Sequence, residues 1–228
     1  MRREEYRAIE AYMLTCMGDA AHDREHVYRV LYGALDIARH EPGADLDVLT
    51  AAALLHDVGR PEQFADPAVC HAEAGSVKAF RFLTGLGWDA GRAGHVRDCV
   101  LTHRTRTDRR PATLEAKIIF DADKLDVSGA VGVARTLFYG GEIGQPLYRL
   151  DGDGEILTDP GSPPSFLREF NYKLRGLYGG FHTARARELA LQRREAATAF
   201  YDALLSELEG CRRRGRPLLE ALLEDPAG

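Results

Sequence analysis

His56 and Asp57 stand side by side at the end of the apolar run 48–55, just before Val58-Gly59. A neutral imidazole and an ionised carboxylate are the donors that a hard to borderline divalent cation prefers, and a dry flank strengthens their hold on it. Taken alone the pair reads first as a core histidine beside a surface aspartate, because a dipeptide is a weak motif. Further imidazoles and carboxylates change that balance: His26, His71 and His103 precede or follow the pair in separate stretches, and Asp121 and Asp123 come later. The His-Glu-x-x-His pattern of zinc proteases is absent, as is Gly-x-Ser-x-Gly. Donors spread over several helices instead suit an open cation site, with positions left for water and a substrate oxygen.

The elements that must position these groups are helical. The run 48–55 is a strong helix former, and Gly59 followed by Pro61 is a stop signal, so His56 and Asp57 fall in its last turn. Leu49, Ala52, Ala53 and His56 share one stripe, which points the imidazole inward. A leading helix over 4–17 carries Tyr6, Ile9 and Met13 on one side. Asp23 is placed to cap the next helix, where Val27, Val30, Leu31, Ala34, Leu35 and Ala38 recur at steps of three and four. His26 opens that face, with Arg29 one turn on.

Residues 60–67 read as a loop by their prolines and polar residues, with Arg60 and Glu62 at the mouth of the pair. His71 begins a helix that ends near 85–87, and Gly75 one turn later allows a close approach. Asp89 caps another, in which Val96, Cys99, Val100 and His103 form one stripe, while His95 sits on a neighbouring face. The run 104–110 reads as a solvated loop whose arginines, Arg104 among them, suit a phosphate-rich ligand. A helix over 113–128 holds Asp121 and Asp123; two residues apart means about 200° apart, so one must be chosen as a ligand. Both faces are apolar, and periodicity leaves the choice open.

Beyond it come a continuation of that helix or a new short one over 129–138 stopped by Gly140-Gly141, a Gly-, Asp- and Pro-rich insert over 144–164, and helices over 165–178 and 183–210. Asp151-Gly152-Asp153-Gly154-Glu155 lacks the full spacing of a calcium loop, and Arg212-Arg213-Arg214 reads as a solvated helix end. A chain of 228 residues is long enough for one well-packed domain, expected over 1–210 with an insert at 140–165 and a tail at 211–228. The expected class is all-α. A net charge of -5 argues against general nucleic-acid binding, while leaving room for a locally basic pocket. No signal-peptide segment or membrane span is evident, which gives a cytoplasmic expectation, and the four cysteines form no Cys-x-x-Cys pair.

Three stretches together resemble the HD superfamily of metal-dependent phosphohydrolases: His22-Asp23-Arg24-Glu25-His26-Val27-Tyr28-Arg29-Val30, Leu54-Leu55-His56-Asp57-Val58-Gly59 and Asp121-Ala122-Asp123-Lys124-Leu125-Asp126. Gly129-Ala130-Val131-Gly132-Val133-Ala134-Arg135 adds a likeness to stand-alone bacterial HD hydrolases. The resemblance implies an HD-type helical bundle with a loop or short-hairpin insertion. It also implies a divalent metal (Mn, Mg, Co, Ni or Fe) held by His26, His56, Asp57 and Asp123, with Asp121 in a supporting or structural role. Members with two metals add histidines between the pair and the last aspartate, where His71 and His103 fall. The chain departs from the cyclic-dinucleotide phosphodiesterases, which often pair two histidines where it has His103-Arg104.

The activity implied is hydrolysis of a small phosphorylated molecule, foremost a nucleotide, by a phosphatase or pyrophosphohydrolase reaction. Asp57 would bind metal and orient the water; Lys124, Arg60, Lys173 and Arg104 would meet the phosphoryl oxygens, and Glu62 would act as general acid. A di-iron oxygenase of the same fold and a metal-stabilised nucleotide sensor are the competing readings. The expected partner is the small phosphorylated molecule, with no general nucleic acid and no membrane, in a monomer or homo-oligomer.

Overall fold

The computed structural model describes residues 1–17, 24–104 and 109–224. Asp23, expected to cap the second helix, lies outside them, as do His22 and residues 105–108. The chain forms two compact units, Met1–Val127 with Tyr178–Leu191 and Ser128–Leu177 with Gln192–Gly228. The architecture is all-α apart from one small hairpin.

The first unit comprises α1 (Arg3–Cys16), α2 (Arg24–Ala38), α3 (Leu46–Leu55), α4 (Arg60–Ala65), α5 (His71–Gly85), α6 (Ala90–Thr102), α7 (Leu114–Asp126) and the start of α10 (Ala184–Glu224). Its centre is α3, in which Val48, Leu49, Ala51, Ala52, Ala53, Leu54 and Leu55 are all buried. From Val48 onward Thr50 alone in this helix is not buried, so that stretch must be enclosed on nearly every side, and α1, α2, α6 and α7 all pack on it. Full burial of Leu49, Leu54 and Leu55 contributes roughly 1.5–3 kcal/mol each, so α3 is a fixed platform for whatever follows its last turn. Its start is set by Asp45, whose carboxylate accepts from Asp47 N and Val48 N at 2.9 and 3.1 Å. Asp89 caps α6 as its sequence indicates, accepting from Arg92 N.

Residues 60–67 depart from the expected loop, because Arg60–Ala65 is helical. Pro61 falls in the first turn, where its missing N–H has no intrahelical partner to lose and its fixed φ suits the helix. The turn before it is tight: a Cβ on Gly59 would lie 2.1 Å from the His71 carbonyl oxygen and 2.5 Å from Gly75 N. Two glycines therefore let the end of α3 and the start of α5 touch backbone to backbone.

The second unit holds α8 (Gly129–Glu142), strands β1 (Arg149–Leu150) and β2 (Ile156–Leu157), α9 (Phe166–Tyr172), a 3-10 turn and the rest of α10. α8 passes through Gly140-Gly141 instead of stopping there. The terminating left-handed residue is Gly144, at φ +68°, one place after the cap Ile143. β1 and β2 pair antiparallel, Arg149 with Leu157 and Leu150 with Ile156. The Asp151 carboxylate closes their turn by accepting from Asp153 N and Glu155 N at 2.9 and 2.7 Å, which accounts for that acidic stretch without calcium. Phe170 stacks on Tyr201 of α10 at 4.4 Å between ring centroids. The helix continues to Glu224, so residues 211–224, expected as a tail, extend α10, and Arg212 pairs there with Glu155. Among the described residues no helix is long and apolar enough to cross a membrane.

Candidate metal centre

Helix ends deliver the imidazoles. His56 and His103 are the C-cap residues of α3 and α6, where the last carbonyls lack helical partners. Their Nδ1 atoms lie 2.7 and 2.6 Å from the carbonyl oxygens of Ala53 and Val100. His26 and His71 come from the opposite kind of end, the first turns of α2 and α5. His26 Nδ1 lies 2.7 Å from Asp126 Oδ2, and His71 Nδ1 lies 2.8 Å from Gln63 Oε1. All four partners are acceptors, so Nδ1 carries a hydrogen in each ring, and each ring when neutral presents the lone pair of Nε2.

Those four Nε2 atoms meet two carboxylates in two triads. His26, His56 and Asp123 each place a donor atom within 4.8 Å of the others, and Asp57, His71 and His103 do the same. His26 Nε2 is 3.2 Å from His56 Nε2 and 3.4 Å from Asp123 Oδ1. His71 Nε2 is 3.3 Å from His103 Nε2 and 3.2 Å from Asp57 Oδ1. Asp57 joins the two sets: its Oδ2 is 3.6 Å from both His26 Nε2 and His56 Nε2, while its Oδ1 is 3.6 Å from His103 Nε2. The four histidines and Asp57 are buried, and the Asp123 side chain, 25% exposed, forms the open edge.

This donor set fits a divalent cation. Two ring lone pairs at such distances repel unless a proton or a cation lies between them. Donors each about 2.1 Å from one ion and at right angles to each other are about 3.0 Å apart, close to both N–N separations.

Electrostatics divides the two triads. Burial would raise the Asp57 carboxyl, but His56, His103, His26 and Arg60 hold it well below the usual carboxylate range. Burial is likewise overcome at Asp123, chiefly by His26, and its carboxyl is also held low. Burial lowers His56 to about 4 against the opposing pull of Asp57, and burial also pushes His71 far down. Both rings are thus neutral and ready to ligate at pH 7. His26 is the exception: burial works against its charged form, yet Asp123, Asp126 and Asp57 together raise it to about 10. A proton and a cation therefore compete for His26.

The remaining sequence-derived candidates divide by what they touch. Arg60 donates from Nε to Asp57 Oδ1 at 2.9 Å and from Nη1 to Gln63 Oε1 at 3.3 Å, beside the second triad. Arg104 donates to Cys70 Sγ at 3.4 Å, and its charge and that of Arg60 both act on His71. Glu62 turns to Lys78 at 2.8 Å; burial raises its carboxyl, but Lys78 lowers it overall. A carboxylate so paired is a poor general acid. Lys124 adjoins Asp123 in sequence, but its ammonium bonds to the Gly179 carbonyl and lies 4.7 Å over the Phe181 ring. Lys173 belongs to the second unit and faces Glu169 at 3.8 Å. Asp121 is fully buried and accepts from His182 N, Thr183 N and Thr183 Oγ1, fixing the start of α10. Sequence reasoning missed Asp126 and Gln63, which orient His26 and His71.

With the geometry in place, comparison with known proteins gives the family. The HD domain family matches residues 24–128, which hold all six converging residues. The chain is 31% identical over 197 residues to YpgQ of Bacillus subtilis, an uncharacterized protein, covering 84% of this chain and 86% of YpgQ. This chain belongs to the HD superfamily. The crystal structure of Bacillus subtilis YpgQ in complex with ADP matches it at a TM-score of 0.71 and 27% identity, over 90% of this chain and 98% of that one. An HD-superfamily hydrolase of Bacillus thuringiensis matches at a TM-score of 0.70 and 28% identity, over 92% of this chain and 99% of that one. The chain thus has the fold of HD-superfamily hydrolases.

Proposed function

We propose that this HD protein is a metal-dependent phosphohydrolase acting on a small nucleotide, releasing phosphate or pyrophosphate. The observation that carries the reading is the position of Asp57, whose two oxygens face two separate sets of imidazole nitrogens. His26, His56, Asp123 and Asp57 would hold one divalent cation, and His71, His103 and Asp57 a second. Held by these residues, a divalent cation would supply a lowered water pKa and Lewis-acid polarisation of a phosphoryl oxygen. The likeness to YpgQ, crystallised with ADP, supports a nucleotide as the ligand.

The chain's own residues supply the rest. Asp57, held ionised by its neighbours, accepts a hydrogen bond from the attacking water and orients it. Arg60 and Arg104, both close enough to act on His71, meet the non-bridging phosphoryl oxygens, where charge grows in the transition state. The buried walls made by α3 and Val58 exclude bulk water and strengthen those interactions. The test is phosphate and pyrophosphate release from a nucleotide panel, using chelator-stripped protein resupplied in turn with manganese, magnesium, cobalt, nickel and ferrous iron. Turnover that needs metal and is lost in Asp57→Ala is the expected result. Oxygen uptake with iron and no phosphate release would point to an oxygenase; nucleotide binding without turnover under any metal would point to a sensor.

A further inference from the structure

Each imidazole in the cluster reaches inward with Nε2, but the groups behind the rings differ in kind. His56 and His103 rest on helix carbonyls that substitution cannot remove. His26 rests on a carboxylate, Asp126, whose two oxygens are also gripped by Arg29 Nε and Nη2 at 2.7 and 3.2 Å. His71 rests on the neutral amide oxygen of Gln63, which takes a second hydrogen bond from Arg60. A carboxylate behind a ligating imidazole raises its basicity and fixes its direction more strongly than an amide does.

The groups in front of the rings differ in the same sense. The first triad has Asp123 and, within 3.6 Å, Asp57 Oδ2. Among the described residues the second has Asp57 Oδ1 as its carboxylate donor, and Arg60 Nε already holds that oxygen at 2.9 Å. Two guanidinium groups, Arg60 and Arg104, add a repulsive field at His71. The same carboxylates hold a proton on His26, but once it has left, each of these differences favours a cation at the first triad.

We infer that the two triads bind divalent cations unequally, the first tightly and the second weakly and exchangeably, with Asp126 and Gln63 as the positioning residues that set the difference. The inference rests on the metal-centre reading proposed above and deepens it. Occupancy of the second triad then follows the surrounding metal concentration, while the first stays filled.

The test is titration of the chelator-stripped full chain with manganese alone, following the electron paramagnetic resonance signal of the free ion, with circular dichroism as a check on folding. Two classes of site whose Kd values differ by about tenfold or more are expected. Asp126→Asn should weaken the tight class by about 10- to 100-fold and leave the weak class within about threefold. Gln63→Glu should tighten the weak class by about tenfold and leave the tight class unchanged. Equal classes, a single ion that Gln63→Glu does not bring to two, or variants that shift both classes together would overturn the inference. A folded protein that binds no manganese at all would instead remove the metal-centre reading on which it stands.

Discussion

His26 Nε2 faces His56 Nε2 at 3.2 Å, although the two rings differ in what they hold at neutral pH. His56 is lowered to about 4 by burial, whereas the carboxylates around His26 outweigh burial and raise it to about 10. A cation must therefore displace a proton from His26. Between pH 6.5 and 8.5 manganese affinity should rise about tenfold per pH unit, with about one proton released per tight ion. Calorimetry in buffers of different ionisation enthalpy measures that release, and a pH-independent affinity would contradict it. In chelated protein the sign reverses. A raised folded-state value gives stability that is full below pH 6.5 and lost as pH rises through about 10.

Asp121 and Asp123 lie two residues apart on α7 and should fail differently. Asp121→Ala strips the acceptor from two backbone N–H groups and one hydroxyl, costing about 2–4 kcal/mol. Its manganese stoichiometry should hold wherever the protein is folded. Asp123→Ala should lose the tight ion and, compared in chelator so that no ion stabilises either protein, shift the urea midpoint less than Asp121→Ala does. Urea denaturation beside metal counting separates the two.

Gly59→Ala places a methyl carbon 2.1 Å from the His71 carbonyl oxygen and 2.5 Å from Gly75 N. Backbone cannot yield as a flexible side chain does, so about 3 kcal/mol of stability should be lost. The end of α3 must also move from α5, separating Asp57 from His71. Loss of the weaker manganese class at temperatures where the variant remains folded is the matching readout.

Glu62→Gln should leave turnover within about threefold and leave the alkaline limb of the pH profile in place, since Lys78 keeps this carboxylate ionised. Its half-exposed ion pair is worth no more than about 1 kcal/mol. A loss of a hundredfold or more, with a shifted alkaline limb, would restore Glu62 as the proton donor.

Much of the centre is legible in the sequence because apolar periodicity dictates direction. The stripe through Leu49, Ala52 and Ala53 turns His56 inward, and the one through Val96, Cys99 and Val100 does so for His103. Periodicity is silent where both faces of a helix are buried. Asp121 is decided by Thr183, 62 residues away, and Lys124 by Gly179, 55 residues away. Neither contact leaves a local signature. Asp126 carries one: it follows Asp123 by three residues, on the same face of α7, and Arg29 follows His26 by three. Gln63 hides in a stretch whose prolines suggest a loop, though Pro61 begins a helix there.

The six converging residues come from five helices or helix ends spread between positions 26 and 123. A nascent chain emerging from the ribosome thus offers only fragments of the cluster until α7 has been made, and Asp126, the support of the first ligand in sequence, lies in its last turn. Each fragment alone is a weak chelator. On the proposed metal-centre reading, an ion would be captured only after the first unit's helices are complete, and a chain made without it would lack the stabilisation that binding to the folded state gives.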